Sequence, residues 1–147
     1  MPAANLHLTL AFLGAVAETR LESLCALGAA VALPPTLLAL DTLDWWRAVG
    51  ALVALASGPP AEFLAVHATL RERLGAQGFA TDARPFWPHV TLARRVTARP
   101  PLAAAPVVEW LLAELALVES LGSPGDSRYV PLARWRGGAR RGEFRGF

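Results

Sequence analysis

The sequence predicts an α+β protein built on antiparallel sheet. Three observations carry this reading. Short runs such as LHLTLAFL at 6–13 and PHVTLAR at 88–94 alternate with the two-residue period of strands. Two longer stretches, 18–31 and 60–76, repeat their apolar residues at helical spacing. Strands and helices also follow one another without a strict βαβ rhythm, which disfavours a parallel sheet.

The elements follow in order along the chain. Residues 6–13 read as a strand that Gly14 ends. Residues 18–31 place apolar side chains at 21, 24, 25, 27 and 31, with Glu18 favourable to the helix dipole in the first turn. Pro34 and Pro35 stop that helix. Residues 36–43 and 50–56 read as strands separated by DWWRAV. Ser57-Gly58-Pro59-Pro60 is a turn into a helix over about 60–76, with Gly78 suited to its C-cap. A Pro- and aromatic-rich approach, 79–87, leads to a strand at 88–94 with Pro88 at its start. Residues 97–106 form a Pro/Ala-rich loop, and 108–119 fit either a helix or a strand. Residues 128–134, RYVPLAR, read as an edge strand because Pro131 cannot donate to a ladder.

At 147 residues the chain is expected to form one domain, 1–147, with room for a real core. Its hydrophobic fraction is 54%, yet no apolar run is long enough to span a bilayer. The nearest, AVGALVALA at 48–56, is far too short. The start, MPAANLHLTL, lacks the basic and long apolar regions of a signal peptide, so a cytoplasmic protein without membrane attachment is expected. The single cysteine, Cys25, sits in an apolar helical pattern and reads as a small core residue. All 14 basic residues are arginine, a side chain suited to phosphate, although the Ala-, Gly- and Pro-rich composition accounts for the total more simply. Six arginines fall after position 127 against Glu143 alone, and residues 136–147 read as a flexible tail.

The chemistry lies in a repeat. HLTLA at 7–11 returns as HVTLA at 89–93, so two of the chain's three histidines share one setting. On a strand, residues i and i+2 face the same way. His7 and Thr9 therefore share one face, and His89 and Thr91 another, each backed by core Leu or Val. Were the two strands neighbours, two imidazoles and two hydroxyls would converge. Such a set suits phosphate-ester cleavage. One imidazole takes a proton from the attacking oxygen and the other protonates the departing one. Imidazole titrates near neutrality, so both roles are open. Threonine hydroxyls can bond the non-bridging phosphate oxygens. No metal or other cofactor is required. There is no carboxylate cluster to hold one, and His67, on the second helix, reads as structural.

NLHLTLAFLG at 5–14 and PFWPHVTLAR at 85–94 resemble the two signature segments of the 2H phosphoesterases. They are most similar to the bacterial RNA 2′,3′-cyclic phosphodiesterase branch, once called 2′-5′ RNA ligases. The resemblance continues through the helix segment LAVHATLRERLGAQGF at 64–79. It extends into LALVESLGSPGDSRYVPLARW at 115–135, with a family-like turn leading to Tyr129. It implies a two-lobed, LigT-like fold with pseudo-two-fold symmetry and antiparallel sheets lining a central cleft, and strand at 112–119. It implies hydrolysis of RNA or a nucleotide ending in a 2′,3′-cyclic phosphate to the 2′-phosphate, without metal, and reversible as 2′-5′ ligation. His7 is then the general acid and His89 the general base. Thr9, Thr91 and Arg94 bind phosphate. Strict alternation sends Arg94 to the face opposite His89, so the strand must end, twist or bulge before it. Phe86, Trp87, Trp45 with its neighbour Trp46, and Tyr129 are candidates for contact with the nucleoside. No obligate protein partner is implied.

About 39 residues of strand, helix and loop (50–88) precede the second motif, and six precede the first. A duplicated unit therefore predicts a strand and helix of about 33 residues ahead of His7 that this sequence lacks. Two other functions stay open on the residues alone. One is a 2H enzyme acting on another cyclic nucleotide. The other is a non-catalytic RNA-end binder drawing on the Arg-rich end.

Overall fold

The computed structural model describes residues 3–102, 106–122, 127–137 and 143–144. They form two compact units, each assembled from three stretches of chain.

The first unit takes residues up to Leu10, Leu37–Pro59 and Arg84–Trp110. Its centre is an antiparallel sheet of β2 (Thr42–Trp46), β3 (Ala51–Leu55) and β4 (His89–Ala93), in that order. A separate two-stranded sheet joins β1 (Thr36–Leu40) to β5 (Val108–Leu112). Leu38, Leu40, Ala51, Val53, Ala56 and Val90 are buried here, with Pro88 closed off beside them. The junction between β1 and β2 is held by Asp41. Its carboxylate accepts from the Ser57 hydroxyl at 2.6 Å and the Ser57 amide at 3.0 Å, and its own amide donates to the Leu55 carbonyl. These bonds hold its carboxyl below the usual carboxylate range.

The second unit takes Ala11–Thr36, Pro60–Ala83 and the chain from Leu111 onward. α1 (Leu21–Ala30) and α2 (Ala61–Ala76) accompany a sheet of β6 (Glu114–Leu121), β7 (Arg128–Arg136) and β8 (Glu143–Phe144). α2 buries Phe63, Val66, Leu70 and Leu74, one stripe at helical spacing. It ends in a Schellman turn. Gly78, at φ +75°, donates to the Gly75 carbonyl, and Phe79 donates to the Leu74 carbonyl. Phe79 and Leu74 are both buried, as that turn's hydrophobic contact requires. Arginines finish the helix ends. Arg73 reaches the Ala30 carbonyl at the end of α1, and Arg20 reaches the Gln77 carbonyl after α2 while covering the Phe79 ring. Gly28 leaves room for the Trp135 ring to lie on α1, because a Cβ there would run into that ring. Cys25 is only partly buried, and burial pushes its thiol up. Glu114 takes Arg134 and Arg136. Burial alone raises its carboxyl, but the two guanidiniums outweigh it, so the group lies low.

Three sequence expectations are corrected. Residues 6–13 do not form a strand. The chain is extended there but makes a single bridge, Leu8 to Val90, and bends at Leu10. Alternation sets the pleat, but a strand also needs a neighbour's backbone groups along its length. The stretch DWWRAV is a connection only in its second half: Asp44, Trp45 and Trp46 belong to β2 and pair with β3, and Arg47–Val49 is the turn between the two strands. Finally, β7 lies between β6 and β8 and is not an edge strand. Pro131 is tolerated because the β6–β7 register slips beside it, and β8 pairs only with Ala133 and Arg134. The stretch 108–119 resolves as strand, divided between β5 and β6. Of the segment read as a tail, Arg136 ends β7, Gly137 donates to the Ala113 carbonyl, and Glu143 and Phe144 pair with β7. Its remaining residues lie outside those described.

Candidate active site

The first unit's central sheet sorts its side chains by register. Cross-strand partners share a face. Asp44 pairs with Val53 and Val53 with Thr91, while Thr42 pairs with Leu55 and Leu55 with His89. Trp46 pairs with Ala51. One face therefore presents Asp44, Trp46, His89 and Thr91 around Val53, which is fully buried. The other face presents Leu43, Trp45, Leu52, Ala54 and Val90.

The bridge between Leu8 and Val90 brings the first motif to this face. The pairing is antiparallel. Were the pairing continued past that point, antiparallel register would set residue 7 opposite residue 91 and residue 9 opposite residue 89, a local two-fold relation in which the two histidines are diagonal neighbours with Cα atoms about 7–8 Å apart. That span would let two imidazoles flank one tetrahedral phosphate.

The rings are held alike. His7 Nδ1 lies 2.7 Å from the carbonyl of Asn5, and His89 Nδ1 lies 2.7 Å from the carbonyl of Trp87. In both cases the partner is the carbonyl two residues back. A carbonyl only accepts, so Nδ1 carries the proton and Nε2 holds the lone pair of the neutral ring. His89 is also packed by Trp46, ring centroids 4.4 Å apart and planes at 58°. Trp46 is fixed in turn, since its Nε1–H donates to Asp44 Oδ2 at 3.1 Å. The other oxygen of Asp44 accepts from the Trp45 amide at 2.8 Å.

Arg94 follows β4 directly. The β3–β4 register skips Leu92: Thr91 pairs with Val53 and Ala93 with Leu52. This bulge shifts the alternation by one, so the position after Ala93 falls on the face of His89 and Thr91. Arg94 is exposed there, and the turn beyond it is tied down. The Val96 amide donates to the Gly50 carbonyl at 2.9 Å, and Trp45 Nε1–H donates to the Val96 carbonyl at 3.2 Å.

The aromatic candidates separate. Trp45 takes the face opposite His89, because neighbouring strand residues point oppositely, and its indole serves the Val96 turn. Trp46 occupies the histidine face. Phe86 is half-buried and Trp87 is 56% exposed, two residues before His89. Tyr129 belongs to the second unit, half-buried on β7 opposite Ser120. Residues 123–126 of the turn before it lie outside those described. His67 lies on α2 in the second unit. Among the described residues no group of three or more His, Cys, Asp or Glu is arranged to hold a metal ion. Nor is any described helix long and apolar enough to cross a membrane.

Residues 1–124 match the 2′-5′ RNA ligase superfamily. An RNA 2′,3′-cyclic phosphodiesterase of Escherichia coli K12 is 34% identical over 137 residues, covering 89% of this chain and 75% of that protein. Among solved structures, a phosphoesterase superposes with a TM-score of 0.83 at 30% identity, over 90% of this chain and 77% of its own. E. coli LigT complexed with 3′-AMP superposes with a TM-score of 0.80 at 31% identity, over 94% and 80% respectively.

Proposed function

The chain belongs to the 2′-5′ RNA ligase superfamily and has the LigT-like α+β fold, and from that premise we propose that it is a metal-independent RNA 2′,3′-cyclic phosphodiesterase. The observation that carries the reading is the antiparallel Leu8–Val90 bridge that joins the two motifs, with both imidazoles held alike through Nδ1.

The reaction uses two imidazoles that are both held through Nδ1–H and act in different charge states. His89 enters neutral and His7 enters protonated. A water oxygen attacks phosphorus while His89 Nε2 takes its proton. The bond from phosphorus to O3′ breaks on the far side, and His7 Nε2–H gives its proton to O3′. The product keeps phosphate on O2′. His89 ends protonated and His7 neutral, and exchange with solvent resets both. Thr9 and Thr91 donate hydroxyl hydrogen bonds to the non-bridging oxygens, where charge builds in the transition state. The Arg94 guanidinium adds positive charge at that edge. Phe86 and the exposed Trp87 offer ring faces to the nucleoside. Run backwards with an RNA 5′-hydroxyl in place of water, the same steps give 2′-5′ ligation. The proposal includes the cytoplasmic location read from the sequence. The part of Tyr129 in it rests on the resemblance of its turn alone.

The test is a short RNA ending in 2′,3′-cyclic phosphate, incubated with the protein and EDTA. The expected product is the 2′-phosphate. A folded protein that binds this RNA without turnover would be an RNA-end binder. One that turns over only mononucleotide or other cyclic phosphates would be a 2H enzyme of different substrate.

A further inference from the structure

Asp44 is out of place on a face that receives a phosphate. A carboxylate there opposes the negative charge of the ligand. Its two oxygens are nevertheless committed elsewhere, Oδ1 to the Trp45 amide and Oδ2 to the Trp46 indole N–H. The indole then meets the His89 ring at 4.4 Å, and the far side of that imidazole is bonded to the Trp87 carbonyl. From these contacts we infer that Asp44 and Trp46 are positioning residues for His89, forming a relay in which the carboxylate fixes the indole and the indole fixes the plane of the imidazole.

The relay has a physical purpose. One hydrogen bond at Nδ1 restrains the ring at a single atom, and a bond that tolerates bending still lets the ring tilt. Tilting moves Nε2, the atom that must meet the attacking water. A misplacement of about 1 Å at such an atom costs up to about 100-fold in rate. An aromatic surface against the ring supplies the missing restraint, and a Trp without its own restraint would not. The Asp44 bond locks the indole through its only polar atom. Register makes the relay possible. Asp44 and Trp46 lie two apart on β2 and share a face, to which β3 adds Ala51, Val53 and Leu55. The indole reaches across β3 to the His89 ring.

This inference rests on His89 being the general base, and its test separates the two claims. The variants are Trp46→Leu, Trp46→Phe, Asp44→Asn and the double Trp46→Phe/Asp44→Asn, with His89→Ala alongside. Each is assayed for kcat and KM on an RNA ending in 2′,3′-cyclic phosphate. Trp46→Leu is expected to lower kcat about tenfold, with KM within about twofold, because only the base is misaimed. Trp46→Phe removes the N–H donor and Asp44→Asn leaves one oxygen for two donors, so each weakens the same restraint, each should cost about threefold, and the double variant no more than Trp46→Phe. A rise in KM at constant kcat would make Trp46 a substrate platform and overturn the relay. So would additive losses in the double variant. Nitrogen-15 NMR of the imidazoles reads the same contact without turnover. His89 should be Nδ1-protonated in the wild type, and its ring signals should shift and broaden in Trp46→Leu as the imidazole loses the indole against it. An unchanged His89 signal in Trp46→Leu refutes the relay. Full activity in His89→Ala refutes the base assignment and leaves the NMR result to decide the contact.

Discussion

Replacing Thr91 by valine removes one hydroxyl from the proposed site and almost nothing else. Thr91 lies in β4 opposite Val53, with the bridging residue Val90 beside it, and it is half-buried. Valine has nearly the same shape and suits a strand at least as well. The fold should therefore be indifferent, with stability unchanged within about 0.5 kcal/mol. Function should not be. A hydrogen bond to a charged acceptor is worth about 1.5–3 kcal/mol. On a phosphate oxygen that gains charge in the transition state, this becomes about a 10- to 150-fold loss in kcat/KM. The assay is steady-state hydrolysis of a cyclic-phosphate RNA, with a thermal melt of the same preparation. The repeated motif adds that Thr9→Val should lose a comparable amount. A Thr91→Val protein with full kcat/KM would refute the assignment. Equal losses in kcat/KM and stability would also refute it, since they would mark Thr91 as a folding residue.

Other perturbations test separate parts of the account. Arg94→Ala should lower kcat/KM about tenfold, less so as salt rises, because the guanidinium is exposed and screened. Gly28→Ala should destabilise by about 1–2 kcal/mol in denaturant titration, because crowding of the Trp135 ring outweighs about 1 kcal/mol of gained helix propensity. A stabilised Gly28→Ala protein would show that the ring moves freely. Asp41 contributes stability above the ordinary carboxylate pKa, because its folded value is depressed by the Ser57 bonds. That contribution is lost as pH falls below about 4 and through the folded value. The gap in denaturant midpoint between wild type and Asp41→Asn should therefore be present at neutral pH and close in acid.

Some of this fold could be read from the chain because it depends on short-range geometry. The i, i+2 relation in HVTLA sets His89 and Thr91 on one face of β4, whatever that strand pairs with. α2 and its end were legible for a similar reason. The stripe at 63, 66, 70 and 74 and the glycine at 78 are local signals. What the sequence hid was pairing. Nothing in LHLTLAFL shows that a single bridge at Leu8 would hold it. Nothing in VTLAR shows an extra residue at Leu92, since a bulge is a relation between two strands. The same holds for Trp45 and Trp46, which look equivalent until β2 assigns them to opposite faces. Pro131 misled because it pairs with Val118 beside a register slip in the β6–β7 ladder, and on its other side β8 pairs with Ala133 and Arg134 rather than with it.

The most direct test compares wild type with His7→Ala and His89→Ala on one RNA ending in 2′,3′-cyclic phosphate, measured as single-turnover rates on folded protein. General acid and general base catalysis each contribute about 100- to 10,000-fold. The account predicts that each variant loses at least about 100-fold, with 2′-phosphate as the wild-type product. A variant of either histidine that retained the wild-type rate would contradict the two-histidine mechanism.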